Sequence, residues 1–583
     1  MSETSAPALS KNEAIKGTSE GLRGTLADEL ATDSPAFSHD STVLLKFHGV
    51  YQQDDRDVRS ERKRARQDVD HICMVRAGVP GGALTGEQYL AMDALADRLG
   101  NGTLRVTTRQ GIQYHFVHKG ELADLIGALN SSLVTTLGAC GDVVRNVCSC
   151  PAPLPDREAV GVARLAKDLH RRTRPRTSAY YQLWVDGSLA VSASPPEAED
   201  DPLYGPTYLP RKFKIGIAWP GDNCIDAYSQ DFAAVPELVD GEVAGYTVLV
   251  GGGLGKSHTD ETTYPRLASP LAFVTPDELA EVAEAVIIVQ RDNGNRADRD
   301  HARLKYLIDT WGLDRFRAAV EEHLGRRLAP AKELTWESED DHLGWHESGD
   351  GTWFLGVHVP SGRIQDTDGA RHRSGIRSVV EQVGTDVRLT TRQDVLLTGI
   401  APADRERVEA LLRDAGIPLV EEVPDLERSA LACPALPTCG LALGEAERVL
   451  PDVLTALHAV LDASGVGDVA PHVRMTGCPN GCARPYTAEL GIVGRGKTSY
   501  DIHLGGNAAG TRMNEVFAVN IPRDQIGPVL QPLLEHYREE REPGEGLGDF
   551  TAREGVASLR QRFGNESFVR PARGRKAASD STG

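Results

Sequence analysis

Two pairs of cysteines are the residues in this 583-residue sequence best suited by type and spacing to chemistry. Cys433-Pro-Ala-Leu-Pro-Thr-Cys439 sets two thiols six positions apart in a proline-punctuated loop, and Cys478-Pro-Asn-Gly-Cys482 sets two more four positions apart in a Pro-Asn-Gly turn. Zinc sites commonly leave two or so residues between paired cysteines and use histidine as an alternative ligand, so these gaps fit them poorly. Four thiolates with no nearby histidine suit an iron-sulfur cluster, whose irons must be held from separated directions. Proline removes backbone donors and glycine lets the chain approach closely, as a compact cluster requires. The readings rank as cluster first, zinc second, and four unconnected core cysteines third. Cys73, Cys140, Cys148, Cys150 and Cys224 have no such pattern; a sparse, odd set of nine in a long chain is no disulfide framework.

The elements that must position these thiols repeat at long range. LRVTTRQGIQ from Leu104 recurs as VRLTTRQDVL from Val387, with Arg105 and Arg388 standing 283 residues apart. Upstream of each copy lies a strand-like piece ending in a turn, CMVRAGVPGG at 73–82 and FLGVHVPSG at 354–362, and EQYLAMDALADRL at 87–99 has helical spacing. Downstream, VLVGGGLG at 248–255 and IHLGGNAAG at 502–510 both read as a strand running into a glycine turn. The first lacks the spacing and downstream acid of a dinucleotide fingerprint, so electrons must come from outside. Two homologous halves, 66–340 and 345–569, account for this, in a mixed α+β protein whose strands alternate with helices such as 278–292. Arg105 and Arg109 share a face if the TTRQ segment is a regular strand. Lys212 and Lys214 share a face with Phe213 opposite, which alone reads as a half-exposed strand.

Composition removes several classes of function. With 64 basic and 84 acidic side chains the net charge is −20, against a general nucleic-acid binder. No apolar run approaches membrane-spanning length, and the N-terminus lacks a secretory pattern, which places the chain in a reducing cytoplasm. Residues 1–40 are polar and read as a mobile or loosely wrapped arm. The basic run from Arg56 to Arg66 reads as a solvated helix face rather than a polyanion site.

ACPALPTCGLALGEAERVLP (432–451) with TGCPNGCARP (476–485) resembles the cluster signature of the sulfite and nitrite reductase superfamily. The likeness runs on through KFHGVYQQDDRD, LRVTTRQ, RNV, TYLPRKFK, LVGGG, HLGGN and GEGLGDFT, nearly the whole chain, and is greatest to the hemoprotein (beta) subunits of assimilatory NADPH-dependent sulfite reductases. The resemblance implies a 4Fe-4S cluster coupled to siroheme, an iron macrocycle with eight carboxylates. Cys433, Cys439, Cys478 and Cys482 would be the cluster ligands, Cys482 also bridging to the siroheme iron. Arg76, Arg145, Lys212 and Lys214 would be substrate-binding cations. Arg105, Arg109, Gln113, His115, Arg211 and Asn480 would contact the macrocycle or line the pocket.

The same resemblance implies six-electron reduction of sulfite to sulfide, feeding cysteine biosynthesis, with electrons from an NADPH-dependent flavoprotein partner. Ferredoxin is the alternative donor. Nitrite reductases of the superfamily tend to carry Asn where this chain has Lys214, so the lysine pair favours sulfite over nitrite. A zinc-stapled binding protein would explain the cysteines but not the repeated arginine segments. Some relatives carry a Tyr-Cys link; the candidates here, Tyr51 and Cys140, are expected to be unlinked. The implied fold has two pseudo-twofold-related halves forming three lobes, with both cofactors at the lobe interface. Its expected divisions are an arm (1–65), a ferredoxin-like half-domain (66–132), a siroheme and substrate lobe (133–340), a second half-domain (345–418), a cluster and siroheme lobe (419–569), and a disordered tail (570–583).

Overall fold

The computed structural model describes residues 8–176, 201–338 and 341–564, together with the backbone of the strands Gln182–Val185 and Ser188–Ser192. The tail expected from residue 570 lies outside the described residues.

Each copy of the repeated motif forms a hairpin. In the first, Leu104–Val106 pairs antiparallel with Ile112–Val117; in the second, Asp386–Leu389 pairs antiparallel with Val395–Ile400. Thr-Thr-Arg-Gln is the turn in both rather than part of the strand. The Thr107 hydroxyl accepts from the backbone N–H of Arg109 at 3.3 Å and of Gly111 at 3.1 Å, and Thr390 does the same for Arg392 at 3.2 Å and Asp394 at 2.9 Å. Gln110 and Gln393 then take positive φ, 54° and 77°. A side-chain oxygen that captures local N–H groups offers the backbone an alternative to the ladder. Arg105 and Arg109 therefore do not share a strand face, contrary to the expectation for a regular strand: the strand ends at Val106 and Arg109 leaves from the turn.

The two hairpins belong to two five-stranded sheets, and each sheet borrows its last strand from the other half. The first runs Val50–Asp54, His71–Ala77, Ile112–Val117, Leu104–Val106, and closes with Arg363–Ile364. The second runs Gly344–Glu347, Trp353–Val357, Val395–Ile400, Asp386–Leu389, and closes with Ala83–Leu84. Each borrowed strand follows a Pro-x-Gly turn ending in a glycine of positive φ, Gly82 at 74° and Gly362 at 73°. A Cβ at Gly82 would run into the carbonyl of Leu389, and one at Gly362 into that of Val106.

Two further five-stranded sheets share one topology. Cys148–Ser149, Ile215–Ile217, Phe232–Val239, Glu242–Val250 and Ser269–Val274 lie in that order, the first two pairings parallel and the last two antiparallel. Leu431–Ala432, Val473–Thr476, Leu490–Gly496, Ser499–Leu504 and Glu515–Pro522 repeat the order and the directions. The interlocked pair of sheets is one lobe and these sheets are the other two. The glycine turns read from the sequence follow equivalent strands, Glu242–Val250 and Ser499–Leu504. One large apolar core serves the interlocked sheets and the first of these lobes, and a second core serves residues 426–559.

The arm packs more tightly than its polar composition suggests. Leu22, Leu26 and Phe37 are buried; Lys16 donates to the Leu209 carbonyl at 2.7 Å and pairs with Glu13, which also meets Arg296. Val50–Asp54 forms the edge of the first sheet. Its few apolar residues find tertiary partners that composition averages away. The helix Arg59–Arg64 has no buried residue, as expected of a solvated face. No helix among the described residues is long and apolar enough to cross a membrane.

Gly362→Ala combines a positive φ with a backbone clash, and should lower stability by about 1–3 kcal/mol in denaturant melts. Gly120→Ala, where nothing lies within 4 Å of the added carbon, should change it by less than about 0.5 kcal/mol.

Candidate functional site

The paired cysteines leave the same end of the last lobe's sheet. Cys433 follows Leu431–Ala432, and Cys478 and Cys482 follow the parallel neighbour Val473–Thr476. The Gly477 N–H donates to the Cys433 sulfur at 3.3 Å and the Asn480 amide to the Cys478 sulfur at 3.5 Å. Burial pushes the Cys433 thiol well up, and the other three thiols, each within electrostatic reach, push it further; Cys478 is pushed up to about 12 for the same reasons. Thiols pushed up in this way give up their protons readily to a positively charged occupant. One tetrahedral zinc would hold sulfurs about 3.8 Å apart. Among the described residues the only metal-ligating group whose donor atoms all lie within 4.8 Å of one another contains none of these four cysteines. No three of them come within that span of one another, and Cys482 alone of the nine cysteines is exposed.

The first half supplies the surroundings of Cys482. Thr108, in the motif turn, donates its hydroxyl to the Cys482 carbonyl at 3.2 Å. The Pro479 carbonyl accepts from the backbone N–H of Lys256, and a Cβ at Gly255 would stand 2.9 Å from the Asn480 carbonyl, so the glycine turn allows the two lobes to touch.

Arg76, Arg145, Lys212 and Lys214 converge beside this point. Arg76 donates to the Cys140 sulfur at 3.1 Å and is within electrostatic reach of Cys482 and Cys439. Arg145 donates Nε to the Gly141 carbonyl at 2.8 Å, and its N–H bonds to the Phe213 carbonyl at 2.8 Å, which sets it against the two lysines. Phe213 is buried between them as expected of alternation. Burial, and then Arg211, Arg303, Lys214 and Arg145, push Lys212 well below its ordinary value, with no carboxylate among its strongest influences. Burial, Arg303 and Arg109 bring Lys214 down to about 7 against the pull of Asp231 and Cys482. The Nε atoms of Arg76 and Arg109 are buried without a hydrogen-bond partner among the described residues. Like charges gathered at a half-buried site, with unspent donors among them, suit an anionic occupant, which a carboxylate-rich macrocycle and an oxyanion both are.

The remaining expected pocket residues are more engaged with the protein. Arg105 donates to Glu447 at 2.9 Å, to the Ala432 carbonyl at 2.8 Å and to Gln113 at 3.5 Å; Arg363, on the borrowed strand, meets Glu447 at 2.7 Å and His115 at 3.1 Å. Burial and the charges of Arg363 and Arg105 hold His115 well below its ordinary value, so its imidazole is neutral. Arg105, Gln113 and His115 thus brace the loop entering Cys433. Arg109 spends its fork on Gln230 at 2.7 Å, the Ile215 carbonyl at 3.2 Å and the Asn146 carbonyl. Burial and Arg299 bring Arg211 down to about 10. The Tyr51 hydroxyl contacts the Cys140 thiol.

Several contributors escaped the sequence reading. Arg56 donates to the carbonyls of Cys439 at 3.1 Å and Ala442 at 2.6 Å, clamping the cysteine loop. Arg303 pairs with Asp231 at 2.6 Å behind the lysines, and Asp226 joins Arg474 at 3.1 Å and Arg484 at 2.6 Å. Arg56 and Arg484 left a signal, their places in the KFHGVYQQDDRD and TGCPNGCARP stretches.

Duplicated halves, four thiols at the end of one sheet and an adjoining half-buried group of cations suit a redox protein acting on an anion. The chain belongs to the nitrite and sulfite reductase family. Residues 64–132 and 346–415 match the nitrite/sulfite reductase ferredoxin-like half domain, and residues 140–328 match the nitrite and sulphite reductase 4Fe-4S domain. The chain is 43% identical to a sulfite reductase [NADPH] hemoprotein beta-component of Geobacillus kaustophilus over 93% of this chain and 95% of that one. It is 44% identical to one of Myxococcus xanthus over 94% and 97%. It is 43% identical to a sulfite reductase [ferredoxin] of Synechococcus elongatus over 96% and 92%. The structure of the NirA protein of Mycobacterium tuberculosis superposes with a TM-score of 0.75, covering 95% of this chain and 98% of that one at 23% identity, a likeness of fold.

Removing the clamp by Arg56→Ala strands two carbonyls, each worth about 1–3 kcal/mol if left unpaired. The purified variant should carry less iron per chain and bleach faster in air, with an unchanged far-ultraviolet circular dichroism spectrum.

Proposed function

We propose that this chain is an assimilatory sulfite reductase hemoprotein, reducing sulfite to sulfide. The observation that carries the reading is the exposed Cys482 within electrostatic reach of the half-buried cations Arg76 and Lys214. Cys433, Cys439, Cys478 and Cys482 would hold the 4Fe-4S cluster, with Cys482 shared with siroheme, and Arg105, Arg109, Gln113, His115, Arg211 and Asn480 would orient the macrocycle directly or by fixing its surroundings. When bound, siroheme supplies a redox-active iron for a sulfur oxyanion and the cluster passes it electrons singly.

The protein's own work is electrostatic and protic. Sulfite, six electrons and seven protons give hydrosulfide and three waters, so a proton source must stand wherever an S–O bond breaks. Arg76 and Arg145 present planar forks that fix the anion's orientation. Lys214, lowered to about 7, can both carry charge and give up a proton, which an arginine cannot. Lys212 adds a second donor beside it. Burial strengthens every one of these interactions.

The donor in this reading is an NADPH-dependent flavoprotein, supported by the names of the Geobacillus and Myxococcus relatives. The Synechococcus relative favours ferredoxin as the second candidate. A cytoplasmic site of action belongs to the same reading. Reconstitution decides between donors: purified protein showing siroheme and cluster absorption should form sulfide from sulfite with the flavoprotein and NADPH, and a colourless protein or absence of sulfide would refute the assignment.

Lys214→Asn removes one cation and proton donor, and should lower sulfite turnover relative to nitrite turnover by about tenfold or more; steady-state assays on both anions would show this. The wild-type ammonium is present below the Lys214 pKa and lost above it, so KM for sulfite should rise as pH climbs through about 7 or somewhat above, since bound anions favour the charged form. Lys214→Arg keeps its charge, and the ratio of wild-type to variant KM should rise with pH, a comparison in which the anion's own titration cancels.

A further inference from the structure

The four cysteines of the cluster site leave a second group of ligands in the first half unexplained. Cys150 lies 283 residues before Cys433, the same interval that separates the two repeated motifs, and Cys150-Pro-Ala-Pro-Leu-Pro parallels Cys433-Pro-Ala-Leu-Pro. Each cysteine directly follows the equivalent short strand, Cys148–Ser149 or Leu431–Ala432. In the second half the neighbouring parallel strand leads into Cys478 and Cys482; in the first half its counterpart, Ile215–Ile217, leads into Asp222 and Cys224. The pseudo-twofold axis thus builds the same pair of loops twice.

In the first half the loops close on a smaller space. Donor atoms of Cys150, Asp222, Cys224 and His342 all lie within 4.8 Å of one another, and all four residues are buried. The Cys150 sulfur and the Asp222 Oδ2 each stand 3.6 Å from the His342 Nε2. A tetrahedral ion with bonds of about 2.3 Å to sulfur and about 2.0–2.2 Å to nitrogen and oxygen sets ligand-to-ligand edges of roughly 3.3–3.8 Å. Asp222 is oriented for this, because its Oδ1 accepts the Cys224 N–H at 3.0 Å and Oδ2 faces the group. The position already attracts positive charge: Arg157 Nη1 reaches the Cys150 sulfur, stands 3.0 Å from Asp222 Oδ2 and 3.4 Å from His342 Nε2.

We propose that Cys150, Asp222, Cys224 and His342 bind one zinc ion, in the position where the other half carries its cluster. Two thiolates, an imidazole and a carboxylate with every position filled by protein describe a closed, structural site, in which the ion would displace the Arg157 guanidinium that now meets three of the donors. The ion would pin the loop after Ile215–Ile217 to the segment entering the second half. That loop supports the redox site: the Cys224 carbonyl accepts from the Thr391 hydroxyl in the second motif turn, and Asp226 holds Arg474 and Arg484. The proposal does not depend on which anion is reduced.

Metal analysis and zinc-edge X-ray absorption of the holoprotein test it. The expected result is about one zinc per chain beside the iron, with a shell of two sulfurs at about 2.3 Å and two lighter atoms. In Cys150→Ser/Cys224→Ser zinc should fall by about tenfold or more while siroheme and cluster absorption persists. Zinc below about a tenth of an equivalent after exposure to zinc and gel filtration would overturn the proposal. So would a four-sulfur shell, which would mark zinc in the cluster site. Should the double variant fail to fold, the wild-type shell decides alone.

Discussion

Neither half of this protein can complete its own sheet. Ala83–Leu84 closes the sheet of the second half and Arg363–Ile364 that of the first. The exchange is sealed where the motif turns meet: Gln110 donates to the Leu389 carbonyl at 3.0 Å and Gln393 to the Val106 carbonyl at 3.5 Å, each glutamine capping a strand end in the opposite half. Both are buried, so these carbonyls would otherwise lack partners away from water. The register of the turns follows from this interlock. With it come the contact of Thr108 on Cys482 and the reach of Arg363 to Glu447 and His115, so a site assembled from both halves is fixed by backbone pairing distant from it.

Charge is handled differently on the two sides of that interlock. Around Glu447 the cations are matched: Arg105 and Arg363 hold its carboxyl below the usual carboxylate range despite burial. Across the pocket Lys212 and Lys214 are not matched, and the acids nearby are already taken. Asp231 is paired with Arg303 and with the Lys214 backbone, and Asp142 with Arg299 at 2.7 Å. A protein of net charge −20 therefore keeps a locally positive interior by allotting its buried carboxylates to other arginines. Folding against that repulsion is costly until an anion enters, which makes the empty pocket a poor state and the filled one a good one.

The duplication was legible because its signal is a short polar motif at fixed spacing, and the grouping of the two cysteine pairs because their loops leave neighbouring parallel strands. The glycine turns were legible too, since backbone approach leaves glycine little competition. What failed was geometry that depends on a local choice. Thr107 could have continued the strand, and only its hydroxyl bonds to Arg109 and Gly111 show that it turns the chain. What could not be read at all was tertiary pairing over long separations. Arg56 reaches a carbonyl 383 residues away and looks in sequence like the first charge of a solvated helix. The arm is polar by composition, yet Glu13 and Lys16 are buried because their partners arrive from residues near 209 and 296.

The two lobes place different side chains on one backbone plan. The same strand order and the same loop pair carry Cys433, Cys439, Cys478 and Cys482 in one half, and Cys150, Asp222 and Cys224 in the other. The excursion from Cys433 to Cys439 is clamped by Arg56, which reaches the Cys439 and Ala442 carbonyls from the arm. In the other half the chain after Cys150 passes directly into the helix Pro155–Val160, and His342 enters from the segment between the halves. One arrangement leaves Cys482 exposed. The other brings its donor atoms within 4.8 Å of one another and buries all four residues. The exposed thiol, rather than the number of thiols, is what opens one copy onto the anion pocket and keeps the other closed.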